Sequence, residues 1–185
     1  MPTTTEAPHR TRNGESTSAK SKQHASRTFK TRVDIPADKR KALVALLNQQ
    51  LADTFDLQSQ CKQAHWNVKG TQFHQLHLLF DDLATQISAF VDVIAERTTA
   101  LGGTALGTAR MAAGASRLDE YPLDAIDGME HVEALAERFG ALAETTRAGI
   151  ENAEKLDDAD TADILTEISR SLDKNLWFLE AHLQA

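Results

Sequence analysis

Apolar positions recur at helical spacing along four long stretches of the 185-residue chain. Leu43, Leu46, Leu47, Leu51, Phe55 and Cys61 form the first stripe. They predict a helix from about Pro36, which suits a first helical turn, to about Val68, with Gly70 as its stop. Asp38 lies at the positive end of that helix, where a carboxylate is favourable. Leu76, Leu79, Phe80, Leu83, Ile87, Phe90, Val91 and Ile94 predict a second helix, ending before Leu101-Gly102-Gly103. A third opens at Asp127-Gly-Met-Glu130, a capping-box-like pair, and carries Val132, Leu135, Phe139, Leu142 and Ile150. A fourth opens at Asp160-Thr-Ala-Asp163 and runs through Ile164, Leu165, Ile168, Leu172, Leu176 and Leu179 to about Leu183. Between the second and third, residues 104–123 have no steady period. T-A-R-M-A-A reads as a short helix and E-Y-P-L-D as a loop. A connection of that length is uncommon unless it crosses a bundle. The fold class expected is all-α: a four-helix bundle with a long crossover, carrying a short helix, between helices 2 and 3.

The second helix has another stripe. With His77 set at zero and about 100° per residue, Asp81 falls near ~40°, Asp92 near ~60° and Glu96 near ~100°. The apolar residues of the same helix fall between about 200° and 320°. The two stripes are almost back to back, so the polar one faces water or another subunit. Asp81 and Asp92 are separated by roughly 16 Å of helix axis, whereas metal–ligand bonds are about 2 Å. One ion cannot touch both. The stripe is therefore two half-sites, His77/Asp81 and Asp92/Glu96. An antiparallel two-fold copy of the helix brings each half against the other kind, giving two equivalent mixed sites. Thr85, Ser88, Ala89 and Ala95 between them are small enough for close approach. His65, near the end of the first helix, folds back as a further ligand if the chain makes a hairpin at Gly70. Spacing alone leaves a competing reading open, because charged residues four apart also decorate ordinary solvated faces.

Hydrophobic residues make up 41% of the chain and aromatics 5%, with nine glycines and four prolines, which favours helix over an all-β fold. The single cysteine, Cys61, excludes an intramolecular disulfide and reads as a small buried hydrophobe. The first 32 residues show no apolar leader, and no run is long enough for a membrane helix; the expectation is a soluble, cytoplasmic protein. The net charge of −7 is uneven. Residues 1–32 carry Arg10, Arg12, Lys20, Lys22, Arg27, Lys30 and Arg32 against Glu6 and Glu15, which is +5 and leaves −12 on the rest. Residues 1–33 are too polar to offset their ordering entropy and read as a disordered basic arm, with 34–185 as the bundle. Such an arm is a solubilising linker or a neutraliser of nucleic-acid phosphates; in a multimer the arms add up and favour the second. Asp157, Asp158, Asp160 and Asp163 cap a helix, and the surplus charge can line a cation passage between subunits. Trp66 and Trp177 read as core aromatics, although Trp66 adjoins His65.

The segments A-H-W-N-V-K-G (64–70), L-H-L-L-F-D (76–81), D-V-I-A-E-R (92–97), L-G-G (101–103), D-T-A-D-I-L (160–165) and D-K-N-L-W-F-L-E (173–180) together resemble the Dps family, the DNA-protecting mini-ferritins of the ferritin-like superfamily. The resemblance covers about residues 34–184, and its H-x11-H-x3-D-x10-D-x3-E spacing is specific. It implies a ferroxidase centre of His65, His77 and Asp81 from one subunit with Asp92 and Glu96 from its two-fold mate. It implies a hollow dodecamer that takes Fe²⁺, oxidises it by preference with hydrogen peroxide, and stores Fe³⁺ mineral. Carboxylates with imidazoles suit iron and leave positions open for an oxidant. It also implies acidic pores near the start of the fourth helix, for which Asp158, Asp160 and Asp163 are the candidates. Trp66, and Trp177 with it, are candidates to trap stray oxidising equivalents. The cations of the arm are candidates for non-specific DNA binding and nucleoid association. The arm is longer and more mixed than the short lysine-rich tails of DNA-binding family members, and His9 and His24 have no assigned role. The alternative is a protein that chiefly compacts the nucleoid, with metal chemistry secondary.

Overall fold

The structure, a computed structural model, describes residues 27–184. Five helices follow in order: α1 (Ala37–Asn67), α2 (Phe73–Ala100), α3 (Ala109–Ala115), α4 (Gly128–Lys155) and α5 (Ala159–Glu180). No strand occurs among the described residues. The expected all-α bundle with a short helix in its crossover is what forms. The expected stripes are its core: Leu43, Leu47, Leu51, Cys61, Leu76, Phe80, Leu83, Ile87, Ile94, Leu135, Phe139, Leu142, Leu165 and Leu172 are all buried. Each such leucine or phenylalanine contributes roughly 1.5–3 kcal/mol by leaving water.

Helix ends follow local chemistry. Asp127 caps α4 in a full capping box with Glu130. At the α4–α5 corner, Asp157 takes a left-handed φ of 57°. Its N–H reaches Glu154 O at 2.9 Å, and the N–H of Asp158 reaches Ala153 O at 3.0 Å, closing α4 as a Schellman turn. Asp158 then caps α5, two residues before the position expected from sequence, by accepting from the N–H of Thr161 at 3.1 Å.

The crossover runs back along α1 from its start to its end. Asn48 donates to Thr104 O, Arg117 pairs with the buried Asp53, Gln60 donates to Asp119 O, and Arg138 of α4 donates to Glu120 O. It finishes beside the α1–α2 turn, where Lys69 N–H donates to Ile126 O at 3.1 Å. One end of the bundle therefore gathers the end of α1, the start of α2, the start of α4 and the end of α5.

At the other end, residues 27–33 run without helix or strand as a strap. Phe29 N–H donates to Gly102 O at 2.8 Å and Thr104 Oγ1 donates to Arg27 O at 2.8 Å. Gly102 has φ +83°, and a Cβ there would stand 2.5 Å from Phe29 O, so only glycine admits the strap. Of the arm expected over 1–33, residues 1–26 lie outside the described residues, with Arg10, Arg12, Lys20, Lys22, His9 and His24 among them; Arg27, Lys30 and Arg32 are exposed on the strap.

The same end holds a buried ion pair. Arg97 of α2 donates to Asp158 Oδ1 at 2.6 Å, and Asp158 is 2% exposed. Removing one partner of such a pair leaves a buried charge unanswered. Arg97→Met should lower stability by about 3 kcal/mol, seen as a reduced unfolding midpoint at fixed protein concentration. Arg147→Met, which breaks the exposed pair with Asp173, should cost under about 1 kcal/mol. Equal losses from the two would contradict the special weight given to Asp158.

Candidate metal centre

The turn between α1 and α2 is tight. Val68 closes α1 onto Ala64 O, Gly70 takes φ 100°, and Phe73 N–H bonds back to Gly70 O at 3.1 Å. That geometry lays His65, near the end of α1, beside His77, one turn into α2. Their rings stack with centroids 3.7 Å apart and planes 21° apart. Each Nδ1 sits 2.8 Å from the backbone carbonyl of the other histidine. A carbonyl only accepts, so each Nδ1 carries the hydrogen. In the neutral ring, the form in which imidazole ligates a metal, each Nε2 is then the nitrogen with the free lone pair.

Asp81, one turn beyond His77, stands on the same side and is half-buried. Lys62, one turn before His65 on α1, forms an ion pair with it. The Lys62 ammonium holds the Asp81 carboxyl below its ordinary pKa, with the two histidines adding smaller effects in the same direction. Sequence reading did not single out Lys62, because one lysine on a helix looks like a solvated face. Its position three residues before His65 is the signal that could have found it.

The sign of this pairing is testable. A lowered carboxylate pKa stabilises the fold above the unfolded value and loses that contribution as pH falls through the lowered one. In Lys62→Gln the Asp81 carboxyl should titrate higher, nearer the ordinary aspartate range, when followed by carbon-13 NMR. A titration unchanged from the parent would show that Lys62 does not set the charge of Asp81.

Asp92 and Glu96 lie farther along the unbroken α2, both exposed, and neither has an ion-pair partner among the described residues. Among the described residues no three His, Cys, Asp or Glu side chains gather as one metal-holding group. Within one chain His65 and His77 come together with Asp81 one turn beyond them, short of a closed three-ligand group, and Asp92 and Glu96 lie farther along α2. Between the two groups, Thr85, Ser88 and Ala89 are exposed and border a shallow groove of about 270 Å³ with Gln58 and Lys62.

Other candidates land differently. Trp66 is 64% exposed and Trp177 60% exposed, so the expectation that they are core aromatics of their own bundle is corrected. Each sits where its helix face turns outward, at the turn end of the bundle, where Phe73, Leu123 and Ile126 are also exposed. Asp158 is spent as a cap and on Arg97. Asp160, in the first turn of α5, and Asp163, just beyond it, are exposed. Cys61 is buried, as expected, and burial pushes its thiol pKa far up, which makes it inert.

The comparisons with known proteins bear on the family and the fold. The family description Ferritin-like domain matches residues 44–185. A "DNA protection during starvation protein" of Agrobacterium fabrum is 44% identical over 158 residues, spanning 85% of this chain and 98% of that protein. The structure of DpsA14 from Streptomyces coelicolor superimposes with a TM-score of 0.81 at 33% identity, covering 87% of this chain and 96% of the other. A Dps protein from Vibrio cholerae, described as a member of a broad superfamily of ferritin-like diiron-carboxylate proteins, superimposes with a TM-score of 0.79 at 26% identity, covering 86% and 100%. With two oriented imidazoles and three carboxylates on the turn end and outer face of this bundle, and with relatives this close over nearly its whole length, the chain belongs to the Dps family of ferritin-like proteins.

Proposed function

We propose that the protein is a ferroxidase and iron store whose reaction centre is shared by two subunits. The observation that carries this is the mutual lock of His65 and His77, which bares two nitrogen lone pairs beside Asp81 while the remaining carboxylates of the stripe stay out of reach on the same helix. Fe²⁺ is the substrate. His65, His77 and Asp81 of one subunit and Asp92 and Glu96 of its two-fold mate hold it. Nitrogen and carboxylate donors suit iron and leave room for an oxidant. Two ferrous ions give one electron each to hydrogen peroxide, which takes two protons and leaves as two waters, so no hydroxyl radical is released. The ammonium of Lys62 answers Asp81 until a cation displaces it. Exposed Trp66, next to His65, is placed to intercept stray oxidising equivalents.

The exposed apolar residues at the turn end suit burial between subunits, and the family's dodecameric shell is the assembly proposed. Asp160 and Asp163 then line a cation passage where subunits meet, and the acidic body favours Fe³⁺ mineral inside. The test is to load the protein with Fe²⁺ without air, add peroxide or oxygen, and follow ferric absorbance, with particle mass from sedimentation. Oxidation no faster than for free Fe²⁺ would refute the ferroxidase reading; a monomer would refute the shared site.

A second activity, non-specific DNA binding and nucleoid association, has its own observation. The strap at the root of the arm borders a groove of about 1060 Å³ whose lining includes Lys30, Arg40, Lys41 and Arg110. Cations so placed neutralise phosphates without reading bases. Removing residues 1–32 takes away seven cations per chain and should abolish gel shifts of duplex DNA at moderate salt while assembly and iron oxidation persist. Removing 1–26 alone leaves Arg27, Lys30 and Arg32 and should weaken binding less. Undiminished binding by the longer truncation would reject the arm.

A further inference from the structure

Tyr121 is the only tyrosine of the chain. It lies in the crossover, and its Oη is 2.5 Å from Nδ1 of His131 on α4, with the two rings stacked at 5.9 Å and 19°. His131 is 1% exposed. Its other nitrogen, Nε2, meets no partner with hydrogen-bond geometry among the described residues, although the Asn67 carbonyl lies near enough to favour the protonated ring. With its hydrogen on Nε2, the tautomer that the nearby Asn67 carbonyl favours, the neutral imidazole presents Nδ1 as the acceptor for the phenol hydrogen.

Three neighbouring contacts fasten the crossover here. Gln60 holds Asp119 O, Arg138 holds Glu120 O and His131 holds Tyr121, and each of these three side chains keeps one buried polar atom unpaired. A phenol aimed at a buried neutral base is the arrangement that an oxidisable tyrosine needs. Losing an electron makes a phenol strongly acidic, so oxidation is easy only when the proton has somewhere to go at once.

We propose that Tyr121 and His131 form a proton-coupled redox pair that holds a single oxidising equivalent inside the bundle. A one-electron oxidant, of the hydroxyl-radical or oxidised metal-complex class, takes one electron from the Tyr121 ring. The Oη–H bond breaks and a bond from that hydrogen to Nδ1 of His131 forms. The products are a neutral phenoxyl radical and an imidazolium, and the oxidant is reduced by one electron. A ferrous ion or other one-electron reductant reverses the step, and His131 returns the proton. Burial, the largest influence, disfavours the imidazolium; Glu130, Asp127 and the Asn67 carbonyl favour it, and Lys69 opposes. The Phe80 ring, 6.3 Å from His131, belongs to the α2 turn that also carries His77 and Asp81. The pair is thus one ring away from that helix, and the source of oxidant in the cell rests on the ferroxidase reading. The pair's chemistry does not.

The experiment uses the full chain without iron. A ruthenium polypyridyl complex with persulfate, flashed with light, supplies the one-electron oxidant, and electron paramagnetic resonance reads the radical. With one tyrosine, ring-deuterated tyrosine assigns the signal without ambiguity. The parent protein should give a tyrosyl signal, and Tyr121→Phe should give none. His131→Asn keeps an acceptor near the place of Nδ1 but no base, and its tyrosyl yield should fall at least several-fold with circular dichroism unchanged. Only tryptophanyl radicals in the parent, or an equal tyrosyl yield in His131→Asn, would overturn the pair. A second arm replaces the flash with Fe²⁺ and peroxide: a tyrosyl signal by flash but no iron oxidation retains the pair and removes the ferroxidase reading, whereas iron oxidation without a flash signal does the reverse.

Discussion

Asp92→Asn with Glu96→Gln should slow Fe²⁺ oxidation by at least about a hundredfold, the upper end of the loss seen when even a partner of a metal ligand is removed. The two side chains keep their shape and lose only charge. Both are exposed, and neither has an ion-pair partner among the described residues. Surface substitutions of this kind change stability by no more than about 0.5 kcal/mol. Secondary structure and assembly should therefore persist, and the carboxylates lost are those that hold the substrate's positive charge. Stopped-flow absorbance after addition of Fe²⁺ and peroxide reads the rate. A rate equal to that of the parent would return the Asp92/Glu96 half of the stripe to plain surface decoration.

That half also shows what a sequence can disclose. The stripes of α1, α2, α4 and α5 are legible because burial imposes a period on each helix, and every residue of the period adds to the signal. The wheel of α2 separates Leu76, Phe80, Leu83 and Ile87 from Asp81, Asp92 and Glu96 by the same means, and the structure buries the first set and leaves the second outside the core. Lys62 has no such period. Its ion pair with Asp81 crosses between two helices, and the only trace in sequence is its distance from His65. The path of the crossover is hidden for a related reason: Asp53–Arg117, Gln60–Asp119 and His131–Tyr121 are single long-range polar contacts. The start of α5 moves from Asp160 to a cap at Asp158 because Asp157 takes the left-handed turn that glycine more often supplies. Trp66 and Trp177 are misread as core because hydrophobicity alone does not distinguish a protein's own interior from an exposed apolar position.

Complementation between two inactive variants should restore about one site in four. The expectation rests on the back-to-back stripes of α2. One variant lacks the imidazoles of His65 and His77; the other lacks the carboxylates of Asp92 and Glu96. Alone, each has a defective half at every shared site and should be nearly inactive. Expressed together in one cell, they pair at random, and about half the dimers are mixed. In a mixed dimer one site receives both defective halves. The other receives intact imidazoles from one chain and intact carboxylates from the other. Half the dimers with half their sites repaired gives the quarter. A centre within one subunit behaves otherwise, since every chain in the mixture still carries a defect and no pairing repairs it. Purification through two different affinity tags verifies that both chains share one particle. Ferroxidase activity near a quarter of the parent's, from particles carrying both tags, is the expected result. No recovery in those particles would falsify the shared centre, and the half-sites on α2 would then need separate explanations.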